Sequence, residues 1–248
     1  MKPTARIAPA VLLLAAACAQ ADSPVAPEAF DAFASHTTDG PPMWEVRITN
    51  LTGGQPLTPP IIATHRGTRL LFEVGRPATF EIKEIAENGN LAPMMGVLGS
   101  EKSVAEWTVV FGATVPPVLP GEEVVTTIGS VPGARWLSFA AMLICTNDGF
   151  TGLDAVALPR RGQSITVYSD GYDAGTEINT EDFADIVPPC PPLTGVPSTD
   201  AGSGVSDPAL AENGVIHHHG GIVGGIDLVP AIHDWDNPVA RIVITRIN

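Results

Sequence analysis

The chain has 248 residues, of which 25 are glycine and 24 are proline, and this density of chain-breaking residues excludes a helical bundle or a coiled coil. Its 27 acidic and 13 basic residues give a formal charge of −14, which argues against a nucleic-acid partner because the phosphate backbone attracts lysine and arginine. The length suffices for one large all-β domain or two smaller ones. We therefore expect an acidic soluble protein or one that holds cations.

The N-terminus has the pattern of a secretory signal. Lys2 and Arg6 precede the apolar run Ile7–Ala17, which is too short to cross a bilayer. Two cleavage readings stay open: a lipoprotein cut that leaves an acylated Cys18 as a lipid anchor, or an ordinary cut in the small-residue stretch that ends at Ala21. Either cut predicts a protein that is secreted or held at the outer surface or in the periplasm. No second apolar stretch approaches the length of a transmembrane helix.

The rest of the chain predicts an all-β fold, an antiparallel β-sandwich with one short helix and long loops. We divide the sequence into a signal peptide (1–21), a flexible tether (22–42) and a sandwich domain (43–248), within which 188–225 is a long loop excursion rich in Pro, Gly, Ser and Asp. The helix is expected from Ala78 to Asn88, followed by Gly89. Short runs of β-type sequence, each closed by turn residues, predict strands at Met43–Leu51, Arg69–Val74, Val104–Phe111, Glu123–Ile128, Trp136–Thr146, Gly152–Leu158, Ser164–Ser169 and Pro238–Ile247.

Two cysteines remain after the signal region. In an oxidising compartment Cys145 and Cys190 are the only available pair, which predicts a disulfide between them. The alternative is a buried Cys145 thiol and a free Cys190.

Two acidic loops stand out, Thr146–Gly152 and Asp170–Glu177. Counting strands up and down the sandwich places both loops at the same end, where such folds carry their sites. Asp173 and Glu177 can turn to one side of a compact turn, and Asp148 approaches from the other loop. Three carboxylates without a basic neighbour favour a cation, and oxygen-only ligands favour calcium. The alternative is that these are ordinary solvated turn residues.

These segments resemble the spondin N-terminal domain in its bacterial form, over roughly Trp44 to Ile247. The most specific element is the Asp-Ala-Gly-Thr-acid motif that follows an Asn-Asp-x-Phe-x-Gly loop. The segments that carry the resemblance are Met43–Leu51, Pro59–His65, Ala141–Leu143 with Asn147–Asp154, and Tyr172–Glu177.

The resemblance implies a sandwich similar to C2 domains, with a calcium ion at one end. In animal relatives the domain belongs to extracellular matrix and adhesion proteins, and its calcium ligands map by motif onto Asp148, Asp173 and Glu177. The third ligand is Glu here and Asp in the animal proteins, so its side chain is one methylene longer. The chain lacks the thrombospondin repeats that accompany the domain in animals.

Other residues indicate other chemistries less specifically. The run His217-His218-His219 is compatible with a transition-metal site or with an exposed loop tip, and His65 is expected to be a structural histidine. The sequence has no Gly-x-Ser-x-Gly, His-Glu-x-x-His, phosphate-loop or dinucleotide motif. We therefore expect no enzyme but an extracellular calcium-binding module for binding or adhesion, with an extracellular protein or glycan as partner. The alternatives are a self-assembling surface component and a metal-dependent hydrolase that uses His65 and Asp148.

Overall fold

Ten strands and four helices build the part of the chain that the computed structural model describes, residues 40–67, 71–200 and 202–248. The strands are β1 (Met43–Asn50), β2 (Ile61–His65), β3 (Val104–Val109), β4 (Glu123–Gly129), β5 (Trp136–Met142), β6 (Gly149–Ala157), β7 (Ser164–Ser169), β8 (Gly171–Asp173), β9 (His217–His218) and β10 (Ala240–Arg246). The helices are α1 (Phe80–Asn88), α2 (Ala92–Ser100), α3 (Cys190–Thr194) and α4 (Pro230–His233).

The strands form two antiparallel sheets, which confirms the all-β sandwich. One sheet has the order β4-β1-β10-β7, and the other has the order β3-β2-β5-β6-β8-β9. In β1, buried Trp44, Val46 and Ile48 alternate with more exposed residues, so one face packs inward and the other meets water. The chain changes sheets between β7 and β8, at Asp170.

The six-stranded sheet is buried on both faces, and this explains why its central strands show no alternation. In β2, Ile62 packs toward the other sheet, whereas Ile61 and Ala63 pack toward α1 on the opposite side. Segments outside the sheets supply part of this second core layer, including Phe183 and Ile222. The 188–225 stretch therefore contributes core residues as well as loops.

Helix α1 lies where the sequence predicts it. The side chain of Thr79 accepts a hydrogen bond from the Ile82 N–H at the N-terminus, and Gly89 ends the helix with a left-handed φ of 62°. The expectation of a single helix is wrong, because α2, α3 and α4 are also present. Gly96 and Gly99 in α2 are poor helix formers, and they hide this helix in the sequence.

The strand predicted at Arg69–Val74 is also wrong for its described part. Leu71 and Phe72 are buried in the core layer on the helix side, but residues 71–74 pair with no strand. The apolar run reflects burial rather than sheet pairing. The chain then turns at Gly75, whose φ is 86°. The predicted signal peptide and nearly all of the tether lie outside the described residues.

Cys145 and Cys190 form a disulfide, as the sequence predicts, with an S–S distance of 2.04 Å. Both residues are fully buried, and the bond joins the loop after β5 to the first turn of α3. None of the described helices has the length and apolarity needed to cross a membrane.

Replacing both cysteines in a Cys145→Ala/Cys190→Ala variant should lower the free energy of unfolding by about 2–4 kcal/mol. The bridge spans 45 residues, and closing a loop of that length restricts the unfolded chain. Denaturant unfolding with and without a reductant measures the effect. The reductant should destabilise the wild type and leave the double variant unchanged; equal stability of oxidised and reduced wild type would contradict the assignment.

Candidate metal centre

The two acidic loops meet at one end of the six-stranded sheet. Strands β6 and β8 pair so that Gly149 lies opposite Asp173, and the Ala174 N–H donates to the Asp148 carbonyl oxygen at 3.1 Å. The sheet itself therefore brings together the residues that follow β5 and those that follow β8.

The first loop is shaped by its own side chains. The Thr146 hydroxyl donates to the Leu143 carbonyl at 2.6 Å and accepts from the Gly149 N–H at 2.8 Å. A Cβ at position 149 would lie 2.4 Å from the Thr146 Oγ1, so this turn requires glycine. The Asn147 side chain fastens the loop to the neighbouring segment, since its Oδ1 accepts from the N–H groups of Thr180 and Glu181.

Asp148 lies at the centre of the site with no exposed surface. Its Oδ2 accepts three hydrogen bonds, from the Thr176 N–H (2.7 Å), the Thr176 hydroxyl (3.1 Å) and the Glu177 N–H (3.0 Å). Its Oδ1 is also buried, yet it has no hydrogen-bond partner in the described chain. One oxygen thus ties the two loops together, and the other is left with its hydrogen-bonding capacity unused.

Burial raises the pKa of Asp148 from its ordinary 3.8 to about 7. That value includes a second upward contribution from the negative charge of Asp173 and the opposing effect of the hydrogen bonds from Thr176 and Glu177. Ionisation of Asp148 beside the charged Asp173 is therefore unfavourable unless a positive charge accompanies it.

Asp173 is only 3% exposed and is held in a fixed orientation. Its Oδ1 accepts from the Gly175 N–H at 2.7 Å, and its Oδ2 accepts from the Asn179 amide at 2.7 Å. His217 lies opposite Asp173 in the β8–β9 pairing, with its Nδ1 at 3.7 Å from the same Oδ1.

Glu177 contacts Asp148 through its backbone rather than its carboxylate. Its Oε1 accepts from the Asp207 N–H at 3.2 Å. Its pKa is raised from 4.5 to about 7, mainly by burial and also by the charges of Glu87 and Asp148, while the Asp207 hydrogen bond opposes the shift. The carboxylate therefore lies within the electrostatic influence of both α1 and Asp148.

The three predicted ligands share one region but do not form a closed cage. Among the described residues, two groups of three have ligand atoms within 4.8 Å of one another: Cys145 with Cys190 and His233, and Asp182 with Asp200 and Asp227. The sulfurs of the first group are bonded to each other. Asp148, Asp173 and Glu177 do not form such a group, so an ion that binds all three requires their carboxylates to move closer together.

Sequence reasoning missed two residues that shape the site. Glu181 is buried, and its carboxylate accepts from the N–H groups of Val223, Gly224 and Gly225. Asn147 has the bridging role described above. Its position directly before Asp148 was a usable signal, whereas nothing in the sequence indicates the role of Glu181.

The three consecutive histidines have different environments. His217 and His218 are exposed, and the His218 ring packs 5.2 Å from the Tyr172 ring. His219 is buried; its Nδ1 accepts from the Gly221 N–H at 3.0 Å, and its Nε2 has no partner in the described residues. Burial lowers the pKa of His219, and the charge of Asp173 opposes this shift. Because Nδ1 accepts a hydrogen bond, the neutral ring carries its proton on Nε2 and does not present that nitrogen to a metal.

Comparison with protein-family models gave no match, and comparison with curated proteins gave none either. The spondin resemblance therefore stays a prediction from the segments that carry it.

In the presence of a chelator, the free energy of unfolding should decrease as the pH rises from about 4 to about 7. The unfolded chain releases the Asp148 and Glu177 protons near pH 4, whereas the folded protein keeps them until about pH 7. Their contribution is therefore complete below pH 4 and lost as pH rises through 7, by roughly 2–4 kcal/mol per group. Denaturant unfolding across this range measures it.

An Asp148→Asn variant should lack the Asp148 contribution to this pH dependence of the unfolding free energy. It should be more stable than the wild type at pH 8 without metal. Asp236→Asn is the matched control, because Asp236 is an exposed carboxylate outside the site. An Asp148→Asn profile that follows the wild-type profile over the whole range would show that Asp148 ionises normally in the folded protein.

Proposed function

We propose that this chain is an extracellular calcium-binding β-sandwich of the spondin type, which acts as a binding or adhesion module at the cell surface or in the matrix. The observation that carries the proposal is the buried Oδ1 of Asp148, which has no hydrogen-bond partner among the described residues and lies under the influence of the Asp173 charge. A divalent cation supplies what this oxygen lacks.

Charge and donor chemistry favour calcium. An ionised carboxylate buried without a compensating contact costs several kcal/mol, and a bound cation offsets that cost. The positive charge of Lys83, which acts on Glu177, is itself paired with Glu87. Carboxylate oxygens with backbone carbonyls and water are the ligands that calcium takes, in six to eight positions.

The proposed mechanism is structural. Calcium between Asp148 and Asp173 neutralises their repulsion and fixes the two loops that these residues occupy. Sites of extracellular modules bind calcium with dissociation constants of about 0.1–1 mM, so the loops would be ordered where calcium is abundant. The signal pattern at the N-terminus supports an exported location, with or without a lipid anchor at Cys18.

The separation of His65 from the acidic loops supports a binding role over hydrolysis. His65 lies opposite Trp136 at the start of β5, whereas Asp148 follows the end of that strand. A strand of this length spans about 20 Å, too far for two residues to act on one bond. His65 is 3% exposed, and its Nε2 lies 2.8 Å from the Ser138 hydroxyl oxygen.

Calcium should raise the melting temperature of the wild-type protein relative to the chelated protein. At a hundredfold excess over the dissociation constant, the added stability is about 2.7 kcal/mol. Asp148→Asn and Asp173→Asn should abolish the shift, because each removes a ligand charge. Glu177→Gln should weaken binding less, since one oxygen of its carboxylate already accepts a hydrogen bond from Asp207. Thermal melts and calorimetric titration at pH 7.5 measure these effects.

Asp236→Asn again serves as the control and should respond to calcium as the wild type does. An identical wild-type melting temperature in millimolar calcium and in chelator would contradict the proposed function. So would a calcium response that persists in Asp173→Asn.

A further inference from the structure

A basic groove lies at the end of the sandwich away from the acidic loops. It is open to solvent, and its volume is about 550 Å³, within the roughly 300–1,000 Å³ of small-molecule sites. Arg135 and Trp136 line it just before and at the start of β5, and Arg160 lines it after β6. The acidic loop 143–148 lies at the other end of these same two strands.

The groove departs sharply from the charge of the whole chain. Three arginines, Arg135, Arg160 and Arg246, line it, and none of its described lining residues is acidic. The chain as a whole has 27 acidic and 13 basic residues. Positive charge is therefore concentrated in this groove although the chain as a whole is acidic, and the groove attracts anions.

Two of these arginines are free to bind. Arg135 and Arg160 are exposed, and neither forms an ion pair in the part of the chain that the structure describes. Arg246 is already positioned: its guanidinium carbon lies 4.9 Å from the centre of the Trp44 ring, and the Trp44 indole N–H donates to the Pro159 carbonyl. This stacking holds one cation at the groove wall at little cost in side-chain entropy.

The remaining lining residues are apolar. The half-buried indole of Trp136 and the exposed ring of Pro132 line the groove beside the arginines. Flat apolar faces pack against the C–H faces of sugar rings, and guanidinium groups bind carboxylates and sulfates through paired hydrogen bonds. A concave site of this volume also suits a short oligosaccharide better than the broad surface of a second folded chain.

We propose that this groove binds an acidic oligosaccharide, with Arg135 and Arg160 contacting its carboxylate or sulfate groups and Trp136 packing against a sugar ring. The site shares no residue with the candidate calcium centre and does not require the ion. It extends the proposed binding role by giving the module a ligand class and a second, independent surface.

Calorimetric titration of the full chain tests the proposal, in chelator and in calcium. The probes are tetragalacturonate, which bears carboxylates, a heparin-derived tetrasaccharide, which bears sulfates as well, and neutral maltotetraose. At least one acidic probe should bind, equally well with and without calcium, and maltotetraose should bind at least 10-fold more weakly. Raising the salt from about 0.05 to about 0.5 M should weaken binding through screening.

Arg135→Ala and Arg160→Ala should each weaken binding roughly 10-fold, the loss expected for one charge-assisted contact. Arg135→Lys should recover only part of the affinity, because lysine keeps the charge and loses the planar fork. Arg76→Ala is the matched control, because Arg76 is an exposed arginine outside the groove. This variant should bind the acidic probes as tightly as the wild type does. Both alanine variants should keep the wild-type melting temperature, since both side chains are exposed and neither is ion-paired with a described residue.

Failure of both acidic probes, equal binding of maltotetraose, or unchanged binding by Arg135→Ala/Arg160→Ala would overturn the proposal. So would concentration-dependent dimerisation that the same double variant abolishes, because the groove would then be an interface between copies. A missing calcium response with intact oligosaccharide binding would overturn the proposed calcium function alone.

Discussion

The buried carboxylate of Asp148 is the interaction on which the acidic end of the sandwich depends. Its Oδ2 accepts hydrogen bonds from Thr176 and Glu177, and in this way it joins the loop after β5 to the loop after β8. Two residues that precede Asp148 fix the loop after β5 in turn. Cys145 is bonded to Cys190, and the side-chain oxygen of Asn147 accepts a hydrogen bond from the Thr180 N–H. Such a network tolerates little movement, so the unused Oδ1 has a defined position. A site with this geometry is preorganised at Asp148, and only the other predicted ligands, Asp173 and Glu177, need to adapt.

The same two strands connect two regions of opposite charge. β5 begins at the basic groove and ends at the acidic loops, whereas β6 begins at the acidic loops and ends at the groove. The acidic groups are buried and hydrogen-bonded, whereas Arg135 and Arg160 are exposed. Burial strengthens electrostatic interactions, and exposure weakens them through screening. The acidic end is therefore suited to one small, highly charged ion, and the basic end to a larger ligand that combines charge with apolar contact.

The sequence predicts best those features that depend on local pattern or on strand direction. Alternation sets the bounds of β1 and β7 closely, and counting strands up and down places the two acidic loops at one end. Helix α2 has no such pattern, because its glycines weaken the helical signal. The direction of the Glu177 carboxylate was also beyond sequence reasoning. It depends on the Asp207 N–H, 30 residues away in a segment without regular structure.

The orientation of Glu177 bears on how an ion would enter the site. Besides its carboxylate, two backbone hydrogen bonds hold the segment around Glu177 to the 207–212 loop. The Ile178 N–H donates to the Leu210 carbonyl and the Glu212 N–H donates to the Thr176 carbonyl, and together they form the Glu177–Ala211 bridge. Turning the carboxylate toward Asp148 therefore breaks only the Asp207 contact, at a cost of about 1 kcal/mol. Among the described contacts, the Glu177 carboxylate accepts one hydrogen bond, whereas that of Asp148 accepts three and that of Asp173 accepts two. Glu177 is therefore the predicted ligand whose carboxylate has the most freedom to adjust.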